Sequence, residues 1–260
     1  MAAPNAGDLN DQVRQYWERE PCGTGSRITG NRQPLSTEWF EQIDAHRYCV
    51  EPHIPAFVQF ERYRGARVLE IGVGAGTDHL QWARSGAECH GLDLTDAAIA
   101  TTRAHLKMHG FSSQLRRLDA EKGLPFEDNS FDVVYSWGVI HHSSDPKQVI
   151  LQIWRVLKLG GEFIGMMYGR LSAVALKLWV RHALLQGKPW LSLGNVVWHH
   201  MESVGTKAYT IDEVRNLFAR FDRVEVEAIV TAYDRKWLPR WSHHLIPASA
   251  GWNLAIRARK

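Results

Sequence analysis

The chain has 260 residues, of which 45% are hydrophobic and 23% charged, and these near-average values exclude disordered and fibrous proteins. Its formal net charge is only +3. The sequence contains no block of like charges of the kind that forms an arm for binding nucleic acid. The N-terminus lacks the basic and apolar segments of a signal peptide. Three cysteines without a CxxC spacing fit a reducing compartment. We therefore expect a cytoplasmic protein with no nucleic-acid partner. The most apolar window, 171–185, carries three basic residues, so stable membrane insertion is not expected.

The N-terminal quarter predicts helices separated by one polar loop. Residues 21–34 are rich in Gly, Thr, Ser and Pro, which predicts the loop. Asp8 is expected to cap the first helix. We interpret residues 1–62 as a helical lid. The three predicted helices cover 8–20, 36–49 and 53–62.

From residue 63 onward, short apolar runs alternate with amphipathic segments, which predicts strands and helices in turn. This alternation predicts an α/β fold with a mostly parallel sheet. We assign residues 63–260 to that core, with 170–209 as a helical insertion that covers the substrate. The last two strands have no helix between them, which predicts a hairpin with a long loop over 232–251. Strands are predicted over 67–71, 88–92, 114–118, 131–136, 162–167, 223–231 and 252–258. Helices are predicted over 77–85, 95–109, 146–158 and 211–220, with Asp145 and Thr210 as caps and Gly160-Gly161 stopping the third.

A glycine-rich turn follows the first strand, and an acid follows the second. Gly72, Gly74 and Gly76 are spaced G-x-G-x-G, whereas a pyrophosphate-binding turn requires G-x-G-x-x-G. Glycine lets the backbone approach a ligand closely, and the helix starting near Thr77 would face an anion. Asp93 stands where an acid contacts ribose hydroxyls. The pattern favours a nucleoside with an anionic group and no pyrophosphate. A turn with no ligand is the alternative.

Four segments in order carry a family resemblance: VLEIGVGAGT (68–77), GLDLT (91–95), LDAEKGLPFEDNSFDVVYSWGVIHH (118–142) and WRVLKLGGEF (154–163). The chain resembles the class I S-adenosylmethionine-dependent methyltransferases. The branch is similar to the ubiquinone/menaquinone-type small-molecule enzymes. The resemblance implies a Rossmann-like sheet of seven strands with an antiparallel last strand. It also implies S-adenosyl-L-methionine as cofactor and S-adenosyl-L-homocysteine as product.

The resemblance also implies cofactor contacts by position. Asp93 would bind the ribose hydroxyls, and Asp119 would accept a hydrogen bond from the adenine amino group. Ser136 and Trp137 would lie beside the sulfonium, although Trp137 could instead be a packing residue. The full implied set is Glu70, Gly72, Val73, Gly74, Gly76, Thr77, Asp93, Leu94, Asp119, Ala120, Glu121, Ser136 and Trp137.

Catalytic and substrate residues are predicted from their places in the chain. His141 and His142 follow the fourth strand and are candidate general bases, or they shape the loop. An aromatic insertion suggests an acceptor with an apolar or aromatic body. The histidine pairs lack metal-ligand spacing, so no metal is expected. The candidate substrate residues, for which ordinary helix packing is the alternative, are Tyr16, Trp17, Arg47, Tyr48, Tyr168, Lys207 and Tyr209.

These observations predict a methyltransferase that acts on an N, O, S or C nucleophile of a small molecule. Two alternatives remain open at this point. One is a cyclase or decarboxylase that uses the same cofactor pocket, and the other is a non-catalytic partner protein that binds the cofactor. The insertion helix could also contact a second copy of the chain to form a homodimer.

Overall fold

The computed structural model describes residues 6–236 and 239–260. The strands are β1 (Arg67–Ile71), β2 (Glu88–Asp93), β3 (Gln114–Arg117), β4 (Phe131–Trp137), β5 (Leu157–Tyr168), β6 (Arg223–Ile229) and β7 (Asn253–Arg259). The helices are α1 (Ala6–Arg19), α2 (Ser26–Thr29), α3 (Thr37–Val50), α4 (Ile54–Val58), α5 (Thr77–Arg84), α6 (Asp96–Met108), α7 (Pro146–Val156), α8 (Ala173–His182), α9 (Leu193–His200), α10 (Ile211–Leu217) and α11 (Ala232–Arg235).

The seven strands form one sheet in the order β3-β2-β1-β4-β5-β7-β6. Strand β1 lies at the centre, where Val68 pairs in parallel with Cys89 and with Val133. Strand β7 runs antiparallel to both of its neighbours, and Ile256 faces Gly165 on β5. The predicted α/β class, the mostly parallel sheet and the antiparallel last strand are confirmed.

Alternation along the strands divides the core between the two faces of the sheet. On β4, Val133 and Tyr135 join one buried cluster, whereas Val134 between them joins the other. Successive side chains of a strand point to opposite faces, so a strand covered on both faces is apolar throughout. This explains why FDVVYSW stands out in the sequence.

The ends of the main helices are fixed by the cap residues that the sequence suggests. The Asp145 carboxylate accepts a hydrogen bond from the Gln148 amide at 3.2 Å. Thr210 and Glu213 form a reciprocal capping box. The prediction for Asp8 was wrong, because α1 already begins at Ala6 and position 8 lies within its first turn.

Two boundaries near glycines and loops also differ from prediction. Helix α7 ends at Val156, before Gly160-Gly161, because the Leu157 backbone already pairs with Phe131 on β4. The predicted loop over 21–34 contains the short helix α2.

The N-terminal helices pack continuously against the sheet. Ile54, Val58 and Phe60 belong to the same buried cluster as the β4 side chains. Phe40 on α3 stacks on His105 of α6 with ring centroids 4.1 Å apart. The packing thus has no break at residue 62. Within the described residues, none of the helices is long and apolar enough to span a bilayer.

We predict that Phe163→Ala lowers the free energy of unfolding by about 3–5 kcal/mol, the usual cost of a cavity at a buried phenylalanine. Phe163 is fully buried on β5 and stacks on Phe218 at 4.9 Å. The matched control is Leu159→Ala on the same strand, where the side chain is 84% exposed and the change should stay within about 0.5 kcal/mol. Urea unfolding measures both. Equal losses would contradict this assignment of the core.

Candidate functional site

A cavity of about 800 Å³ opens at the carboxyl ends of β1, β2 and β4. Ligands of open α/β sheets bind at this edge, where the strand order reverses. The first turn of α5 forms one wall, and residues of α1, α3 and α8 enclose the rest. The carboxyl ends of β1, β2 and β4 therefore form the floor of the cavity, and the segments from α1, α3 and α8 form its roof.

The three glycines of the turn between β1 and α5 are required for different reasons. All three have positive φ, at +85°, +54° and +84° for Gly72, Gly74 and Gly76. A Cβ on Gly72 would lie 2.2 Å from a Val139 methyl, and one on Gly76 would lie 3.0 Å from the Thr102 Cα. A Cβ on Gly74 would meet nothing within 4 Å, and Gly74 lines the cavity. Two glycines thus permit packing, and the third leaves space for a ligand.

Asp93 is held at the end of β2 with its carboxylate at the cavity wall. One oxygen accepts from the Gly74 amide at 3.1 Å, and the other accepts from the Thr95 amide and hydroxyl at 3.0 and 2.8 Å. Burial raises the pKa of Asp93, and these hydrogen bonds oppose that rise. The carboxylate is therefore oriented before any ligand arrives, as a hydroxyl-binding group requires.

Glu70 and His79 form a buried hydrogen-bonded pair. The Ser113 hydroxyl donates to the Cys89 carbonyl at 2.7 Å, so its oxygen accepts from His79 Nε2 at 2.9 Å. His79 Nδ1 lies 2.9 Å from Glu70. Burial raises the pKa of Glu70 well above its ordinary value and lowers that of His79 to about 3. A protonated Glu70 that donates to a neutral His79 satisfies every atom.

The opposite end of the cavity is built around Asp119 and Glu121. Asp119 accepts from the Glu121 amide at 3.1 Å and from the Asn10 side chain at 3.4 Å. The Glu121 carboxylate accepts hydrogen bonds from Ser143 at 2.6 Å and from both the amide and hydroxyl of Ser144. These bonds lower the pKa of Glu121 against the opposing effect of its burial. Glu121 thus fixes the loop after β4 and connects it to the cavity floor.

An ion-pair network attaches α3 to the sheet. Arg47 donates to Asp78 at 2.6 Å and also pairs with Glu51. Asp78 accepts further hydrogen bonds from Tyr48 at 3.0 Å and Tyr135 at 2.8 Å. The Glu51 side chain in turn accepts from the Trp137 indole at 3.2 Å. The carboxylates are buried, so each depends on these partners.

The two residues expected beside the sulfonium differ in placement. Trp137 lines the cavity, but most of its ring is packed against neighbours, with 6% of the residue exposed. Ser136 is fully buried, and its hydroxyl donates to the Ile71 carbonyl at 3.0 Å. This hydrogen bond joins β4 to β1, and the Ser136 side chain is not part of the cavity lining.

The adjacent histidines also differ. His142 lines the cavity, with its Nδ1 3.0 Å from the Thr206 hydroxyl and its Nε2 3.4 Å from Glu202. His141 is fully buried, and its ring lies 3.8 Å from that of Tyr168. Burial lowers the pKa of His141 well below its ordinary value. His141 is therefore a neutral packing residue, and only His142 has access to a ligand.

Most of the other residues predicted from the sequence line the cavity, but four do not. Glu70, Gly72, Val73, Gly74, Thr77, Asp93, Leu94, Asp119, Ala120, Glu121, Tyr16, Trp17, Arg47 and Tyr168 all line the cavity. Tyr48 points at Asp78 instead, and Gly76 packs on Thr102. Lys207 and Tyr209 line a separate cavity of about 450 Å³. Lys207 faces away because it donates to the Ser143 carbonyl at 2.6 Å.

Sequence reasoning missed several lining residues. Glu202 has a left-handed backbone with φ +46° and accepts from the Tyr168 hydroxyl at 3.0 Å. Trp252 stacks on the same Tyr168 ring at 4.1 Å. No motif distinguishes these positions, since Glu202 belongs to the insertion and Trp252 immediately precedes the last strand. In residues 6–236 and 239–260, no three His, Cys, Asp or Glu side chains converge as metal ligands would.

Comparisons with known proteins agree with this geometry. Residues 69–165 match a family model described as a methyltransferase domain. The methyltransferase YcgJ of Bacillus subtilis is 33% identical over 98 residues, 38% of this chain and 39% of the relative. A ubiquinone biosynthesis O-methyltransferase of Hahella chejuensis is 37% identical over 98 residues, 38% of this chain and 41% of the relative. Phosphoethanolamine N-methyltransferase 2 of Caenorhabditis elegans is 35% identical over 107 residues, 41% of this chain and 24% of the relative. The chain thus spans less than half the length of each of these relatives.

Solved structures extend the likeness beyond the matched segment. An S-adenosylmethionine-dependent methyltransferase from Mesorhizobium loti superposes with a TM-score of 0.58 at 22% identity, over 80% of this chain and 97% of that chain. The YcgJ structure superposes with a TM-score of 0.53 at 18% identity, over 80% of this chain and 98% of that chain. At such identities the likeness shows the shared fold.

We predict that Arg47→Met lowers the free energy of unfolding by about 3–5 kcal/mol, because it leaves buried carboxylates without their cation. Urea unfolding measures the loss. The matched control is Arg64→Met, which removes an exposed ion pair with Glu61 and should cost at most about 1 kcal/mol. A similar small loss for both variants would show that the network around Asp78 does not hold α3 in place.

We predict that Glu70→Gln becomes progressively more stable than the wild type as pH rises from 5 to 8. The folded wild type keeps a proton on the Glu70–His79 pair that unfolded glutamate releases above its ordinary pKa of about 4.3. Between that value and the raised pKa of folded Glu70, the wild type thereby loses up to about 1.4 kcal/mol per pH unit relative to the glutamine variant. Urea unfolding at several pH values measures the difference. A difference independent of pH would mean an ionised Glu70 beside a neutral His79.

Proposed function

We propose that this chain, whose residues 69–165 match a methyltransferase-domain model, is a class I S-adenosylmethionine-dependent enzyme that transfers a methyl group to a small molecule. The nucleophile is an N, O, S or C atom, and the acceptor has an apolar or aromatic body. S-adenosylmethionine is the cofactor, which supplies an electrophilic methyl group and leaves as S-adenosylhomocysteine. The observation that carries the proposal is the oriented Asp93 carboxylate beside the open face of Gly74.

The residues of the cavity fit this cofactor. Asp93 offers a fixed carboxylate of the kind that binds ribose hydroxyls. Gly74 leaves space in which any Cβ would intrude. Asp119 keeps a carboxylate at the far end, where the adenine amino group would donate. Trp137 and Glu70 would face the methionine part, since an aromatic face attracts a cationic sulfonium.

The acceptor class follows from the remaining walls of the cavity. Tyr168 and Trp252 stack on one another, and Leu178 of α8 also lines the cavity. A mostly apolar lining with few polar groups is typical of sites for small organic ligands. The similar proteins are named for O- and N-methylation, which is why the proposal leaves the acceptor atom open.

Calorimetric titration of the purified chain with S-adenosylmethionine and S-adenosylhomocysteine tests the proposal, with NAD as the control ligand. Binding of either compound without binding of NAD supports it. Mass spectrometry of products then distinguishes a methyltransferase, whose acceptor gains one methyl group, from a cyclase or decarboxylase. A chain that binds cofactor but modifies no compound would favour the non-catalytic alternative. No binding would exclude the proposed pocket.

We predict that Asp93→Ala weakens S-adenosylhomocysteine binding at least about tenfold, because hydrogen bonds to a charged group contribute about 1.5–3 kcal/mol. Gly74→Val should abolish binding, because its side chain fills the space above the turn and valine is strained at positive φ. Calorimetry measures both variants. Asp222→Ala is the matched control, since the Asp222 side chain is exposed and is not part of the cavity lining. Wild-type affinity in Asp93→Ala and Gly74→Val would show that the pocket is misplaced.

A further inference from the structure

His142 and Glu202 face each other on the cavity wall, and neither residue's role follows from the cofactor site. The His142 Nε2 lies 3.4 Å from a Glu202 carboxylate oxygen. Both residues line the cavity. The His142 side chain is 6% exposed and that of Glu202 is 28% exposed, so the pair is sheltered by protein and still open to a ligand.

The neighbours of His142 differ between its two ring nitrogens, and one tautomer uses both hydroxyl contacts. The Thr206 hydroxyl donates to the Ser203 carbonyl at 2.7 Å. Its oxygen can then only accept from His142 Nδ1, 3.0 Å away. The Ser203 hydroxyl oxygen, 3.1 Å from the same nitrogen, can accept as well. A neutral ring with its proton on Nδ1 makes hydrogen bonds of both contacts and leaves a lone pair on Nε2, whereas a proton on Nε2 would donate to Glu202 and let Nδ1 accept from the Ser203 hydroxyl.

The Nδ1–H tautomer places two proton acceptors opposite one another. The Nε2 lone pair and the Glu202 carboxylate cannot hydrogen-bond to each other until one of them receives a proton. A proton on Nε2 would create an imidazolium that donates to Glu202, and the opposite charges would attract at this distance. The arrangement is thus complete only after it has taken up one proton.

Neighbouring groups hold the pair in this geometry. The Tyr168 hydroxyl donates to both Glu202 oxygens, at 3.0 and 3.2 Å. The Trp17 ring lies edge-on to His142 with centroids 5.4 Å apart. Glu202 itself has φ +46°, a backbone state that is uncommon outside glycine and often occurs at functional sites. Three separate segments therefore converge on one carboxylate and one imidazole.

We propose that His142 adopts the Nδ1–H tautomer and that His142 and Glu202 together accept the proton from a methyl acceptor whose nucleophilic atom arrives protonated, as in a phenol, a thiol or an ammonium group. The bond between that atom and hydrogen breaks, and its electron pair stays on the nucleophilic atom. The proton goes to His142 Nε2, which then donates to Glu202, and later passes to water. Tyr168 and Thr206 are positioning residues. This inference rests on the proposed function and narrows its acceptor class.

The first test needs neither cofactor nor acceptor. Nitrogen-15 NMR of the whole chain reports which imidazole nitrogen is protonated, and a His142→Asn variant assigns the signal. We expect the Nδ1–H tautomer for His142 at pH 8, with Nε2 unprotonated. A proton on Nε2 at that pH would overturn the proposal, because this nitrogen could then accept none.

The second test compares Glu202→Gln with the wild type on acceptors found by screening phenols, thiols and amines. We expect kcat to fall about 100-fold, a usual contribution of general base catalysis, and to recover as pH is raised, because more acceptor then arrives deprotonated. Calorimetric binding of S-adenosylhomocysteine should be unchanged. The matched control is Glu127→Gln, since Glu127 is exposed. Thr206→Val should also lower kcat, and Thr206→Ser should restore it.

The outcomes separate this inference from the proposed function. A wild-type chain that binds neither S-adenosylmethionine nor S-adenosylhomocysteine refutes the proposed function, whereas the NMR result still reports on the pair. Intact binding with wild-type kcat in Glu202→Gln overturns only the proton-accepting pair. Methylation restricted to acceptors without a proton on the nucleophilic atom would overturn it too.

Discussion

The ion pair between Arg47 and Asp78 is the constraint on which the shape of the site depends. It joins α3, which covers the sheet edge, to the first turn of α5, which follows the glycine turn. Through Glu51 the same guanidinium reaches Trp137 on β4 and Asn253 on β7. Buried charges are costly unless they are fully paired, so this network has few alternative arrangements. The roof of the cavity is thereby fixed relative to its floor.

Two histidine–glutamate pairs show how environment changes the behaviour of the same groups. The Glu70–His79 pair joins the end of β1 to α5, where burial disfavours charge on both members. The Glu202–His142 pair lies on the cavity wall, where a ligand can reach it. Desolvation makes the first pair a structural hydrogen bond. Access makes the second pair available for proton transfer.

The loop after β4 lies between Glu121, at one end of the cavity, and the insertion that carries Glu202. Glu121 accepts hydrogen bonds from Ser143 and Ser144, and Lys207 donates to the Ser143 carbonyl from the other side. Lys207 follows Glu202 in the insertion, so the loop after β4 is held by the insertion on one side and by Glu121 on the other. A site that must bring a donor and an acceptor together at near-attack distance requires such fixed relations.

The sequence by itself determined the parts of this protein that depend on local order along the chain. Alternating strands and helices gave the sheet, the G-x-G-x-G spacing predicted the turn, and the position of Asp93 after β2 predicted its place at the cavity. Parallel strands end at a common edge, so residues after them meet without further information. Local capping chemistry likewise identified Asp145 and Thr210.

The tertiary structure alone decided which side chains face the cavity from the lid, the insertion and the last strand. Adjacent His141 and His142 are equivalent in sequence, yet packing against Tyr168 buries the first and leaves the second accessible. Lys207 and Tyr209 line a second cavity. Glu202 lines the first cavity and has a left-handed backbone, which no sequence motif indicates. These outcomes depend on contacts between segments far apart in the chain, whose geometry is set by packing rather than by spacing.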